Sequence, residues 1–135
     1  MRHMYKLFTH EEATKLLPLV DEHLAKLQRA VQESIGLRKA LSETKTLTVR
    51  GQNFAREFAF LMTDIHQRKA ELDRLGVHLR DVEMGVVDFP SRLGAEVVCL
   101  SWERGQDAIT HYHRLDSEAE IRPLPAAAQV PIATI

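Results

Sequence analysis

Apolar residues recur along the first third of the chain at Ala13, Leu17, Val20, Leu24, Leu27 and Val31. The steps are 4, 3, 4, 3 and 4, the alternation of a coiled-coil seam that keeps one stripe against a neighbour. Thr9-His10-Glu11-Glu12 stands ahead of this stripe. A threonine followed three residues later by glutamate makes a capping box. The Thr9 hydroxyl accepts from the Glu12 amide, and the Glu12 carboxylate accepts from the Thr9 amide. Phe8 precedes the cap and is placed to staple against Ala13. Pro18 falls inside the run. Proline deletes one helix hydrogen bond and crowds the carbonyl four residues back, so a kink or break is expected there. The stripe stays in register beyond it, which predicts a helix reaching about Leu41.

Residues 42–52 are polar, rich in Thr and Lys, and contain Gly51; they read as a connection. The stripe then resumes at Phe54, Phe58, Leu61, Ile65, Leu72 and Leu75. Arg68 is its one charged position, and its long stem lets the guanidinium reach the edge of an interface. Gly76 follows as a C-cap glycine. Two long helices of matching period joined by one connection predict an antiparallel helical hairpin over 9–75.

After Gly76 the period shortens. Val77-His78-Leu79 alternates weakly, and Gly85 to Pro90 is an apolar run stopped by proline. Glu96 to Trp102 is rich in β-branched and aromatic residues, Glu103 to Asp107 is a turn, and Ala108 to Arg114 reads as the last strand. Short turns between successive strands predict an antiparallel meander over 77–116. The expected fold class is therefore α+β, a long antiparallel helical hairpin followed by a short antiparallel β-meander, in one domain over 1–122. From Pro123 three prolines fall within nine residues, which favours an extended, disordered Pro/Ala-rich tail over 123–135.

Composition narrows the function more than the fold. The 135 residues are 44 % hydrophobic and 27 % charged, enough to bury a core without disulfides or metal staples. Lys+Arg number 18 against 19 Asp+Glu, a formal net charge of -1, which argues against a nucleic-acid binder drawn by bulk charge. Arg38, Lys39, Lys45, Arg50 and Arg56 gather round the helix connection and read as a solvated tip. No apolar run approaches the ~20 residues that span a bilayer. Met1-Arg2-His3-Met4 is followed by no apolar stretch of the kind a secretory signal carries. Cys99 is the only cysteine, so no intrachain disulfide forms and a cytoplasmic location is expected. Its place within Val97-Val98-Cys99-Leu100 reads as a buried, inert thiol.

Several segments carry a resemblance. They are Phe8-Thr9, Glu12-Ala13 and Leu16-Leu17-Pro18; Gly76-Val77 and Arg80-Asp81; and Gly85 to Ser91. Val98 to Trp102, Gly105, Ile109, Tyr112-His113 and Arg122-Pro123 complete the set. On these the chain resembles an uncharacterised bacterial family known as domain of unknown function 2203, over nearly its whole length up to the tail. The family pattern tends to carry Trp at Tyr112, a non-His residue at His111, and Gly-Phe within the stretch from Glu118 to Ile121. The resemblance implies a bacterial origin and the same fold boundary, and it implies no activity.

Three constellations bear on chemistry. His111-Tyr112-His113 on a strand puts two imidazoles on one face, a pair that can ligate a transition metal with Asp88 or Asp116 as a third donor. The family resemblance covers His113 alone. Asp88, Arg92, Trp102, His113, Asp116 and Arg122 fall at strand ends and turns, where ligand sites are commonly built. Arg92 and Arg122 suit a carboxylate or phosphate, although a turn cap at Asp88 and ordinary ion pairs for the arginines are the plainer reading. No catalytic residue is marked, since Ser91 lacks a Gly-x-Ser-x-Gly elbow. On the helices, Glu22-His23 and Asp64-x-His66 have the wrong steps for a di-iron site and read as solvated faces.

Leu16, Leu37, Leu41 and Phe60 lie off the strict seam, and a thin hairpin with a small sheet cannot cover them all. The expected function is a non-enzymatic interaction or scaffold protein, a homodimer associating through its helices. The alternative is a small-anion or metal-binding protein with a site around Asp88, His113 and Arg122. The sequence names no cofactor, and neither a membrane nor nucleic acid is an expected partner.

Overall fold

A computed structural model of the chain describes residues 6–117 and 119–125. Thr9 opens α1 (His10–Glu43) with both halves of the capping box formed. The Glu12 amide donates to Thr9 Oγ1 at 3.0 Å, and the Thr9 amide donates to Glu12 Oε1 at 2.8 Å. The helix runs unbroken through Pro18, where a kink or a break was expected. Leu17, Val20 and Leu24 are buried on either side, and tertiary packing outweighs the one lost hydrogen bond.

Thr48 caps α2 (Val49–Leu75), its hydroxyl accepting from the Gly51 amide at 3.0 Å. Gly51 therefore belongs to the first turn of α2, and the connection shrinks to residues 44–48. Gly51 is buried because that connection folds over it; a Cβ there would run into the backbone carbonyl of Lys45. Gly76 ends α2 at φ 85°, the left-handed cap that its position after Leu75 predicts.

The strands are β1 (His78–Asp81), β2 (Val86–Leu93), β3 (Glu96–Glu103), β4 (His111–Arg114) and β5 (Arg122–Pro123). They pair antiparallel in sequence order, the expected meander. Three boundaries differ from expectation. β2 runs on through Pro90, where the apolar run was expected to stop, and ends at Leu93. The fourth strand begins at His111, not Ala108, while Ile109 enters the core. Arg122, the last residue of the expected domain, and Pro123, the first of the expected tail, add a further strand. Leu124 beyond it is buried, its amide donating to the Thr110 carbonyl at 2.8 Å. The expected disordered stretch from residue 126 onward lies outside the described residues.

Strand alternation turns Val87 and Phe89 of β2 and Leu100 and Trp102 of β3 toward the helices. They pack against Ala13, Leu17, Val20, Leu24 and Leu72 in one core. Phe8 closes one end, its ring edge-on to Phe89 with centroids 5.4 Å apart. A smaller cluster of Leu27, Ala30 and Ile65 ends the packed zone.

From Val31 to Asp64 the hairpin continues as an arm in which Gly51 alone is buried. The stretch from Val31 to the end of α1 spans about 20 Å. Ile35 (58 %) and Phe60 (73 %) are largely exposed along the arm, as are Leu47 and Val49 at its tip. The basic tip residues partly serve the arm itself. The Arg38 guanidinium lies over the Phe58 ring at 5.6 Å, and that of Arg50 over Phe54 at 5.8 Å. Arg68, the charged seam position, pairs with Asp64 at 3.1 Å. Among the described residues no helix is long and apolar enough to cross a membrane.

Candidate functional site

The same alternation that sends Phe89 and Leu100 inward sends Asp88, Cys99 and Ser101 to the sheet face turned away from the helices. Asp88 stands opposite Ser101, and Cys99 stands opposite His113 on β4. Three neighbouring strands thus bring a carboxylate, a thiol and an imidazole onto one patch. All three are buried: His113 is 2 % exposed, Asp88 5 % and Cys99 8 %.

Arg80 completes the group from β1. The ladder between β1 and β2 shifts register between Leu79 and Asp81, and this irregularity at Arg80 aims its side chain across the sheet. Its Nε donates to both Asp88 oxygens, at 3.2 and 3.0 Å, and its Nη2 donates to Ser101 Oγ at 2.6 Å. A buried carboxylate without such a partner would be costly, so Arg80 accounts for how Asp88 stays in the sheet.

His113 is held from the other side. Its Nδ1 lies 2.8 Å from the Arg114 carbonyl, and a carbonyl only accepts, so Nδ1 carries the hydrogen. Nε2 lies 3.0 Å from Asp88 Oδ2 yet makes no aligned hydrogen bond with it. The two atoms are close, but the misaligned approach leaves the nitrogen without a hydrogen-bond partner. An unsatisfied buried nitrogen costs about 1–3 kcal/mol. The arrangement also bears on catalysis. A general base needs a ring nitrogen turned toward a substrate. Here Nδ1 is committed to the backbone, and Nε2 is sealed against Asp88.

The other residues expected at a site lie elsewhere. Arg92 is exposed beside a cleft of about 260 Å³ near the N-terminal segment. Trp102 is in the core, its Nε1 donating to the Gln106 carbonyl at 3.1 Å. Asp116 is exposed in the turn after β4. Arg122 stands opposite Tyr112, hence on the face away from His113. A hydrogen bond from Arg122 to Glu120 at 3.1 Å, together with that residue's charge, raises its pKa. Asp88, His113 and Arg122 therefore do not converge.

His111 shares the face of His113, as their spacing predicts, but sits over Ser101 with Nδ1 2.8 Å from Thr110 Oγ1. It lines an open cavity of about 300 Å³ with Arg80 and Glu103. The donor atoms that do cluster, within 4.8 Å of one another, belong to Asp88, Cys99 and His113. Arg80, Cys99 and Ser101 were missed as site residues. The alternating signal was present for the last two, since they flank Leu100 two apart, but an apolar run hid it.

A two-layer α+β domain, with a long helical arm at one end and a buried polar cluster on the outer face of its sheet, is the class these observations define. A family model described as "Uncharacterized conserved protein (DUF2203)" matches residues 6–123, and the chain belongs to that family. No curated protein and no solved structure matches it.

Proposed function

We propose that the protein is a non-enzymatic interaction protein that works through its helical arm, and that the arm pairs with a second copy of the chain. The carrying observation is the arm's burial pattern: from Val31 to Asp64 no apolar side chain is buried, although the seam continues through Leu61, Phe58 and Phe54. Each helix of the arm has one neighbour, and one neighbour covers only one side of a stripe this wide. Covering an exposed Ile or Phe is worth about 1.5–3 kcal/mol per side chain. Two arms laid side by side would make a four-helix bundle whose seams face one another, a symmetric solution for one chain. The sealed geometry of Asp88 and His113 supports the non-enzymatic part of this reading.

Light scattering across a concentration series tests it. The wild type is expected at twice the monomer mass, and Phe60→Glu or Ile35→Glu is expected to halve it while the helical circular-dichroism signal persists. A wild type that stays monomeric at every concentration rejects self-association.

A further inference from the structure

The geometry points to a transition-metal site formed by Asp88, Cys99 and His113, suited to a borderline-soft divalent cation of the zinc class. It rests on the sheet alone and stands whether or not the arm pairs.

Four observations converge on it. The first is His113 Nε2, a buried nitrogen aimed into the cluster with no aligned hydrogen bond. With the hydrogen on Nδ1, a neutral ring presents the Nε2 lone pair to the carboxylate, two electron-rich groups 3.0 Å apart. A cation between them resolves that opposition. The second is the Nδ1 contact itself. Metal-bound histidines characteristically donate their other ring N–H to a carbonyl or carboxylate, which fixes the tautomer and the ring orientation. The Arg114 carbonyl does this here at 2.8 Å.

The third is spacing. Zinc bonds of about 2.0–2.3 Å in a tetrahedron put donor atoms roughly 3.3–3.7 Å apart. The three donors lie within 4.8 Å of one another, so side-chain movements of about 1 Å gather them on one ion. The fourth is the donor set. One thiolate, one imidazole and one carboxylate select zinc-like ions over magnesium or calcium, which take oxygen ligands.

Arg80 sets the charge balance. It holds the carboxylate in place and offsets its charge, so Cys99, bound as a thiolate, would supply the main negative charge toward the ion. His111 lies outside this group, so the ligating pair predicted by the His-x-His spacing gives way to a set drawn from three strands. The alternative is a plain imidazolium–carboxylate pair within the sheet, with no ion.

Cobalt(II) titration of the purified protein, stripped with a chelator, distinguishes the two. The expected result is one equivalent bound, with a thiolate-to-cobalt charge-transfer band in the near ultraviolet that zinc(II) abolishes by displacement. Cys99→Ser should remove the band. His113→Gln should weaken cobalt binding by more than about tenfold, and His111→Gln should leave it unchanged. Cobalt binding without the thiolate band, or binding that Cys99→Ser leaves intact, overturns the site. Should a variant fail to fold, the wild type decides alone. The absence of both the band and a zinc-dependent rise in Tm overturns the site, and both together uphold it.

Discussion

At the scale of single residues, polar contacts at the helix start and in the sheet carry measurable consequences. Thr9 Oγ1 satisfies an amide that the helix start would otherwise leave without a partner. Thr9→Ala is expected to cost about 1 kcal/mol in chemical denaturation. The reciprocal contact has a pH signature. The Thr9 backbone amide, the largest cause, holds the Glu12 carboxyl below its ordinary value of 4.5. A depressed folded-state pKa means that the contribution is complete above the unfolded value. It is lost as pH falls through the folded one. The stability gap between wild type and Glu12→Gln should therefore be constant near neutrality and close on the acid side. A gap that is flat throughout would show that the carboxylate does not act through its charge. Arg80 is a different case, because its partner Asp88 is buried. Arg80→Met strands that carboxylate and is expected to cost about 3–5 kcal/mol. The exposed pair of Arg104 with Asp21, at 2.8 Å, should yield less than about 1 kcal/mol to Arg104→Met in the same chemical denaturation.

At the scale of elements, the sequence was legible where order is local. The capping box, the 4-3 alternation and Gly76 mark their helix limits by contacts within a few residues, and each is found where it was expected. Gly51 was misplaced because its role depends on Lys45 folding back over it, a contact that composition does not reveal. Gly51→Ala pushes a Cβ into that carbonyl and is expected to fray the hairpin tip. Faster amide exchange over residues 44–52, with α1 near Leu24 unchanged, would record it. β5 was illegible for a related reason: two residues become a strand only because β4 offers an edge. The site was half legible. Asp88 and His113 were singled out by residue type, but their meeting with Cys99 depends on the register between β2, β3 and β4. Arg80 depends on a register shift, and no local periodicity encodes either.

At the scale of the whole molecule, the packed zone and the arm should behave as regions of different stability. Leu24 is fully buried between the helices and the sheet, so Leu24→Ala should cost about 2–5 kcal/mol. Ile35→Ala removes a largely exposed side chain and should change the stability of a single chain by less than about 0.5 kcal/mol. Its effect should appear instead in the concentration dependence of Tm, because association stabilises by mass action. Equal effects of the two substitutions at every concentration would contradict that division.

The strand order of the sheet has a consequence for how the chain reaches this state. Each strand from β2 onward pairs with the one made just before it, so the ribosome delivers every new strand to a waiting edge. Pairings this local give low contact order and quick assembly. The segment at the start of α1, by contrast, is tied at long range. Phe8 bonds to Pro90 through its amide at 2.7 Å, and His10 Nε2 lies 2.7 Å from the Ile109 carbonyl. Phe8 and His10 must therefore wait until residues 90 and 109 have been made before they find their places, which makes docking of this segment a late step of folding.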